Sequence, residues 1–187
     1  GMSDSGSEVP AVAADRPAAC YERPPRGDGF RLQDDPPTSL YRARPTFLSG
    51  GGGMVATADD YHRFARMLLN RGELDGVRLL GRKTVDYMTR NHLPGNRDLA
   101  AMGQPTFSET SYDGIGFGLG FSVVLDPAAA NVLDSAGEYA WGGAASTYFF
   151  VDPTEELIVV FMTQLLPSSA YPVRRQLKTL VYQALVD

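Results

Sequence analysis

The sequence is poor in cysteine, in histidine and in long apolar runs, and each shortage excludes a class of protein. Cys20 is the only cysteine, so the chain cannot form an intrachain disulfide and is not a disulfide-stabilised scaffold. The longest uninterrupted apolar run covers residues 157–162, whereas a transmembrane helix needs about 20 such residues. We therefore predict no membrane span.

Positive charge is also scarce, because 17 lysines and arginines are outnumbered by 22 aspartates and glutamates, for a formal net charge of −5. Proteins that bind nucleic acid by neutralising its phosphates carry the opposite excess, so a nucleic-acid partner is not expected. His62 and His92 are the only histidines, and they are not spaced to share one helical face. The sequence therefore predicts no metal site and no other cofactor.

The 187 residues suffice for one domain or at most two small ones. Residues 1–8 contain neither the basic nor the apolar part of an export signal. We therefore expect no signal peptide and, for the chain as given, a cytoplasmic location. The compartment of a longer parent protein is left open.

Residues 1–46 show no helical or strand periodicity and are predicted to form a proline-rich, partly ordered arm. So long a stretch without regular structure is uncommon inside a compact domain, and we expect the arm to lie along another surface. Residues 47–187 are predicted to form the α+β part of the chain. The prolines that interrupt the arm are Pro10, Pro17, Pro24, Pro25, Pro36, Pro37 and Pro45.

Three helices are predicted after the arm. Thr57 can cap the first, over residues 58–70, with Asp60 as an acidic residue of its first turn. The second covers residues 82–91 and is followed by a loop over 92–113. The first helix has the apolar stripe Tyr61, Phe64, Ala65 and Leu68, and the third, from Tyr171, has the stripe Val173, Leu177, Leu180, Val181 and Ala184.

Four strands are predicted between the second and third helices. Alternation over residues 117–125 indicates one half-buried strand, and residues 138–141, 147–151 and 157–165 indicate three more. The last two form an antiparallel hairpin around a turn at 152–156. Both are apolar through their centres, so both of their faces must be covered. The predicted fold class is α+β, an antiparallel sheet covered by helices, with few helices in this chain for two faces.

Two common catalytic motifs are missing or incomplete. No serine lies in the Gly-x-Ser-x-Gly turn of an α/β-hydrolase, which excludes that class. The glycine run at residues 50–53 lacks the Lys-Ser or Lys-Thr that a phosphate-binding loop requires, so we interpret it as a flexible turn.

The segment Trp141-Gly142-Gly143 is the most unusual feature of the predicted sheet. Glycines within a strand permit the close approach of another backbone or of a ligand. One interpretation is structural, a bulge or tight packing. The other is functional, an exposed strand edge whose backbone N–H groups bind a substrate carbonyl.

Motifs along the chain resemble the C-terminal half of the serine β-lactamase family, and most closely its class C-like esterases and its penicillin-binding-protein relatives. The resemblance extends from about residue 18 to residue 187. The motifs are SGGGGMVATADDY at 49–61, FARMLL at 64–69, GFGLGF at 116–121 and WGG at 141–143.

This resemblance implies a partial β-lactamase/transpeptidase-like fold and acyl transfer as the chemistry. In such a reaction a serine attacks an ester or amide carbonyl, two N–H groups hold the oxyanion, and water releases the acyl group. The family has three site motifs, and only the Lys-Thr-Gly-like one has a counterpart here. It implies that Trp141, Gly142 and Gly143 bind substrate and that the Ala144 N–H is one oxyanion-hole donor.

The other two family motifs, Ser-x-x-Lys and Tyr-x-Asn, are absent from the sequence. Ser39-Leu40-Tyr41-Arg42 comes closest to the first, and it lies in the arm. We therefore expect the chain to lack the nucleophile and to be inactive alone. Trp141 replaces a cationic residue, which favours simple esters over β-lactams as substrates.

Three hypotheses about function follow. The chain is the C-terminal portion of a serine hydrolase whose full-length form acts on a small ester or amide. Alternatively, it is a non-catalytic binding or regulatory module derived from that fold. A third possibility, an enzyme using other residues, has no candidate constellation. Because the sheet lacks helices to cover it, we also predict a homo-oligomer or a swapped dimer.

Overall fold

The computed structural model describes residues 1–103 and 111–186. Within these ranges, the helices are too short or too polar to cross a membrane. The helices and strands in chain order are β1 Cys20–Glu22, β2 Arg31–Asp34, α1 Ala58–Leu69, β3 Glu73–Leu74, β4 Val77–Arg78, α2 Arg82–Met88, β5 Ile115–Phe117, β6 Ser122–Val124, α3 Pro127–Ala130, β7 Tyr139–Gly142, β8 Tyr148–Asp152, β9 Leu157–Phe161, β10 Leu165–Leu166 and α4 Val173–Tyr182.

Strands β5 to β9 form one antiparallel sheet in which each strand pairs with the next along the chain. The predicted hairpin is confirmed as β8 and β9, with Phe150 opposite Val159. Short β3 and β4 form a separate hairpin beside α1.

Helices cover both faces of this sheet, as its apolar strands require. The ring of Phe149 lies against Tyr61 of α1, with 5.0 Å between ring centroids. The next residue, Phe150, points to the other face and stacks on Tyr182 of α4, with 5.8 Å between centroids. The predicted fold class is thus confirmed as an antiparallel sheet between helices.

Helix α1 begins where its cap predicts. The Thr57 side chain accepts a hydrogen bond from the Asp60 N–H at 3.2 Å. Ala65 and Leu68 of the predicted stripe are fully buried against the sheet, and Tyr61 and Phe64 lie at its margin. Helix α2 is shorter than predicted, because it ends at Met88.

The single strand predicted over residues 117–125 is wrong. The segment is a hairpin of β5 and β6, in which Phe117 lies opposite Ser122. Gly120 turns the chain with a φ of 100°, a conformation that suits glycine. A Cβ on Gly118 would lie 2.1 Å from the Met88 carbonyl oxygen, so close packing requires glycine there as well. The alternating pattern therefore spans a turn between two short strands and not one continuous strand.

The arm contains regular structure that its sequence pattern did not indicate. β1 pairs antiparallel with β2 and parallel with β10, where Tyr21 lies opposite Leu165. β10 belongs to this small sheet, so the strand predicted over 157–165 ends at Phe161 instead. Strands of two to four residues are too short to show a period of two.

The start of the arm contacts α1. The Asp60 carboxylate accepts hydrogen bonds from the Asp4 N–H at 2.7 Å and from the Ser5 hydroxyl at 2.9 Å. An isolated bridge joins Gly6 to Val55. The predicted loop over 92–113 includes residues 104–110, which lie outside the described residues, and its described part contains short 3-10 turns.

Helix α4 presents a different face from the predicted one. Leu180, a member of the predicted apolar stripe, is 59% exposed. The buried positions are Arg174 and Lys178, and Tyr182 one turn further on stacks on Phe150. Polar partners on the sheet and in the preceding loop offset the desolvation cost of these buried cations.

Candidate active site

The four predicted site residues lie together at the end of β7 and in the turn that follows it. Trp141 pairs with Phe149 across β7 and β8 and is 41% exposed. Its ring contacts Phe117 edge-on, with 5.0 Å between centroids. Phe149 packs toward α1, so Trp141 projects from the same face of the sheet, away from α4.

Both glycines of the motif are required by close packing. A Cβ on Gly142 would lie 2.6 Å from the guanidinium carbon of Arg174. A Cβ on Gly143 would lie 2.3 Å from the Thr147 hydroxyl oxygen. The structural interpretation of these glycines therefore holds, and the functional one stays a prediction.

The turn from β7 to β8 exposes the backbone at Ala144. The Gly143 N–H donates to the Thr147 carbonyl at 2.9 Å, and the Ser146 N–H donates to the Gly143 carbonyl at 3.1 Å. Ala144 is exposed. Within residues 1–103 and 111–186, no acceptor lies in hydrogen-bonding geometry to its N–H, so this donor is available to a ligand.

β6 leaves this end of β7 uncovered. It pairs with β7 at only two positions, Tyr139 and Ala140. Gly120 turns the chain away immediately before β6. Trp141 and Gly142 therefore have β8 on one side, and on the other no strand of residues 1–103 and 111–186 pairs with them.

Arg174 of α4 holds the turn from the opposite face. Its Nη2 donates to the carbonyl of Gly143 at 2.6 Å and to that of Thr147 at 3.1 Å. Its guanidinium lies over the Tyr148 ring, 5.7 Å from the centroid. The sequence analysis missed this residue. The i, i+4, i+8 spacing of Arg174, Lys178 and Tyr182 was the available signal for a second, polar stripe.

A buried ionic network lies behind the turn. Lys178 forms ion pairs with Asp134 and, at 2.9 Å, with Glu138. The two carboxylates have no exposed side-chain surface. The Tyr182 hydroxyl lies 2.9 Å from Glu138 Oε2 and 2.6 Å from Asp152 Oδ2. These contacts fix α4, and with it Arg174, against the sheet.

Burial raises the pKa of Glu138 to about 8. The Lys178 ammonium opposes this shift, and the Asp134 carboxylate reinforces it. Burial likewise raises the pKa of the Tyr148 and Tyr182 hydroxyls, and the Glu138 carboxylate adds to both shifts. Burial thus favours the protonated form of Glu138, whereas the ion pair with Lys178 favours the charged form.

A cavity of about 80 Å³ opens beside this network on the α4 face of the sheet. Its lining includes Ser122, Ala140 and Tyr148, with Glu138 and Lys178 also in its wall. Trp141, Gly142 and Arg174 also line the cavity, so it adjoins the candidate site.

Other sequence features lie outside the site. Ser39, the closest match to a nucleophile motif, is buried and donates its hydroxyl hydrogen bond to Asp34 at 2.7 Å. Arg42, at the position of the family lysine, bonds to the Ala14 carbonyl instead. The glycine run forms an exposed turn closed by a Gly53 N–H bond to the Ser49 carbonyl.

The antiparallel sheet between helices is the fold of the β-lactamase family. The family model described as Beta-lactamase matches residues 1–183. The chain therefore belongs to the β-lactamase family. The match begins at residue 1, so it includes the start of the arm, which the sequence resemblance had left out.

Three known proteins show the extent of the similarity. Protein Rv1367c of Mycobacterium tuberculosis is 37% identical over 171 residues, which are 89% of this chain and 41% of that protein. Esterase EstB of Burkholderia gladioli is 35% identical over 118 residues, 63% of this chain and 26% of the esterase.

The third is a solved structure, EstCE1, described as a hydrolase with promiscuous acyltransferase activity. It superposes with a TM-score of 0.71 at 25% identity, over 95% of this chain and 46% of that one. The chain thus spans less than half the length of the relatives it matches.

Proposed function

We propose that this chain is the C-terminal portion of a β-lactamase-family serine hydrolase, and that it forms the oxyanion-binding wall of the acyl-transfer site. The observation that carries the proposal is the exposed Ala144 N–H, which has no acceptor among the described residues. It stands at the end of the Trp141-Gly142-Gly143 strand, the position where the family places a donor to the developing oxyanion.

In this mechanism the substrate carbonyl oxygen lies about 3 Å from the Ala144 N–H. A serine from a segment outside this chain attacks the carbonyl carbon, and the negative charge that develops on the oxygen is stabilised by the N–H. One such donor contributes about 10²- to 10³-fold to kcat. Because the sequence contains no Ser-x-x-Lys, the chain alone is inactive.

The aromatic pair of Trp141 and Phe117 determines the substrate class that we propose. Their edge-on contact places an exposed apolar wall beside the turn. A wall of this kind binds an acyl or alcohol group by burial of apolar surface, and it offers no cation to a carboxylate. Small esters are therefore the proposed substrates.

The coding DNA upstream of Met2 provides the first test. An in-frame segment with Ser-x-x-Lys and a Tyr-x-Asn-like triplet supports the proposal, and the longer chain is then expected to hydrolyse p-nitrophenyl acetate. A genuine start site at Met2 would support the alternative, a binding or regulatory module.

A hybrid provides the second test. The part of esterase EstB that precedes its matched 118 residues, where the family resemblance implies the Ser-x-x-Lys serine, is fused ahead of this chain. Folding is verified by a cooperative unfolding transition. Turnover is expected in the fusion. Replacement of the EstB serine by alanine is the matched control and abolishes that turnover. A folded fusion with no turnover contradicts the proposal.

A further inference from the structure

Arg174 and the candidate oxyanion donor are linked through one peptide unit. The Gly143 carbonyl, which accepts from Arg174 Nη2 at 2.6 Å, and the Ala144 N–H belong to the same planar amide. This peptide bond is trans, so its C=O and N–H point in opposite directions. A group that fixes the carbonyl therefore also fixes the direction of the N–H.

The position of α4 determines that direction. Arg174 approaches the turn from α4, so the Gly143 carbonyl points toward that helix and the Ala144 N–H points away from it. The Trp141 side chain also lies on the face away from α4, because it pairs with Phe149. The donor and the aromatic wall consequently face the same side of the sheet.

The second contact of Arg174 fixes the other end of the turn. Nη2 carries two hydrogens, and the second goes to the Thr147 carbonyl at 3.1 Å. Nη2 of Arg174 thus fixes the distance between the Gly143 and Thr147 carbonyls, and Ala144 lies between these two residues in the chain. Arg174 is only 8% exposed and its guanidinium lies over Tyr148, so the cation has little freedom to leave.

We infer that Arg174 is a positioning residue for acyl transfer: it orients the Gly143–Ala144 amide so that the Ala144 N–H points to the carbonyl oxygen of the substrate. A cationic donor on the carbonyl also polarises the amide, which makes its N–H a stronger donor. This inference rests on the proposed function for its catalytic consequence, but the orientation of the amide is measurable without turnover.

Two variants test the inference in different ways. Arg174→Lys keeps the charge and removes the planar guanidinium. Gly142→Ala keeps Arg174 but places a Cβ 2.6 Å from its guanidinium carbon. Since the guanidinium is the far end of a flexible side chain, it is expected to be displaced while the strand stays in place. Arg175→Lys is the matched control, because Arg175 bonds to the Asn131 carbonyl and is exposed.

The first readout is NMR of this chain. Both test variants are expected to change the carbonyl ¹³C shift of Gly143 and the amide ¹⁵N shift of Ala144, and to speed amide exchange at Gly143 and Ser146 about tenfold or more. Amides of α1 and the control variant stay unchanged. A folded Arg174→Lys or Gly142→Ala protein with wild-type shifts at Gly143 and Ala144 overturns the inference.

The second readout is ester hydrolysis by the EstB fusion or the longer chain. Arg174→Lys is expected to lower kcat about tenfold or more with KM nearly unchanged, because the N–H acts on the transition state. An unchanged kcat in an active fusion overturns the inference. If the wild-type fusion does not turn over while the NMR changes occur, the proposed function fails and the orienting contact of Arg174 stands.

Discussion

The Tyr182 hydroxyl lies 2.9 Å from the buried carboxyl of Glu138. The same hydroxyl lies 2.6 Å from Asp152, and it has only one proton to donate. If that proton goes to Asp152, the contact with Glu138 is a hydrogen bond only when Glu138 carries a proton. Burial, which raises the pKa of Glu138, favours that proton.

Glu138→Gln is predicted to make stability less dependent on pH. The pKa of Glu138 is raised from 4.5 to about 8 in the folded protein, so between these values the folded state binds more protons than the unfolded state. The free energy of unfolding then falls as pH rises, by at most about 1.4 kcal/mol per pH unit from this group.

Urea unfolding at intervals from pH 5 to pH 9 measures this effect. Glutamine mimics the protonated acid, so the variant is expected to gain stability relative to wild type as pH rises. Glu155→Gln in the exposed turn between β8 and β9 is the control and follows the wild-type curve. Parallel curves for wild type and Glu138→Gln would show that Glu138 does not titrate as we describe.

Lys178→Met is predicted to destabilise the fold by about 3 kcal/mol or more. The substitution leaves Asp134 and Glu138 buried beside each other without their cation. Leu180→Ala, on the same helix at a position that is 59% exposed, is expected to change stability by no more than about 0.5 kcal/mol. Thermal and urea unfolding of the two variants measure how much each face of α4 contributes to the free energy of unfolding. A larger loss of stability in Leu180→Ala than in Lys178→Met would contradict the prediction and would support the apolar stripe predicted from the sequence.

Asp60→Ala is predicted to detach the start of the arm and to cost about 1–3 kcal/mol, because it removes a charged acceptor of two hydrogen bonds. Asp59→Ala is the matched control. It removes a carboxylate from the same helical turn but from an exposed position. Only Asp60→Ala is expected to speed hydrogen exchange at the Asp4 amide. Equal losses of stability in both variants would assign the effect to the helix dipole instead.

Local sequence signals predicted those parts of the fold that depend on neighbouring residues. Thr57 identified the start of α1 through its cap, and apolar composition identified the β8–β9 hairpin. The hairpin of β5 and β6 was missed because its alternation continues through the turn that contains Gly120. A period of two does not distinguish a strand from two short strands joined by glycines.

The site was predicted in part for the same reason. Trp141 and Ala144 were proposed because a short contiguous motif resembles a known family, and their role stays a prediction. Arg174 was missed because its partner Gly143 is 31 residues away in the sequence. The apolar residues of α4 form a stripe of their own, so periodicity alone selected Leu180 instead of the buried cations. The i, i+4, i+8 spacing of Arg174, Lys178 and Tyr182 indicates a polar stripe, but it does not identify the distant partners of these residues.

The outer edge of β9 is predicted to pair with a second copy of this chain when the chain is isolated. No strand of the described residues pairs there. The segment Leu157–Phe161 has neither the charge nor the proline that protects an edge. An antiparallel copy would place apolar residues opposite apolar residues.

Sedimentation at micromolar concentration measures the predicted dimer. Val159→Lys at the centre of β9 is expected to give monomers, and Thr154→Lys in the exposed turn is expected to leave the dimer intact. A wild-type chain that is monomeric at every concentration would contradict this prediction.

The rate of p-nitrophenyl acetate hydrolysis by this chain alone tests the central claim most directly. The account predicts the background rate, unchanged by a fluorophosphonate that phosphonylates active serines, because the attacking hydroxyl comes from outside the chain. Turnover that the reagent abolishes, with the label located on a serine of residues 1–187, would contradict it.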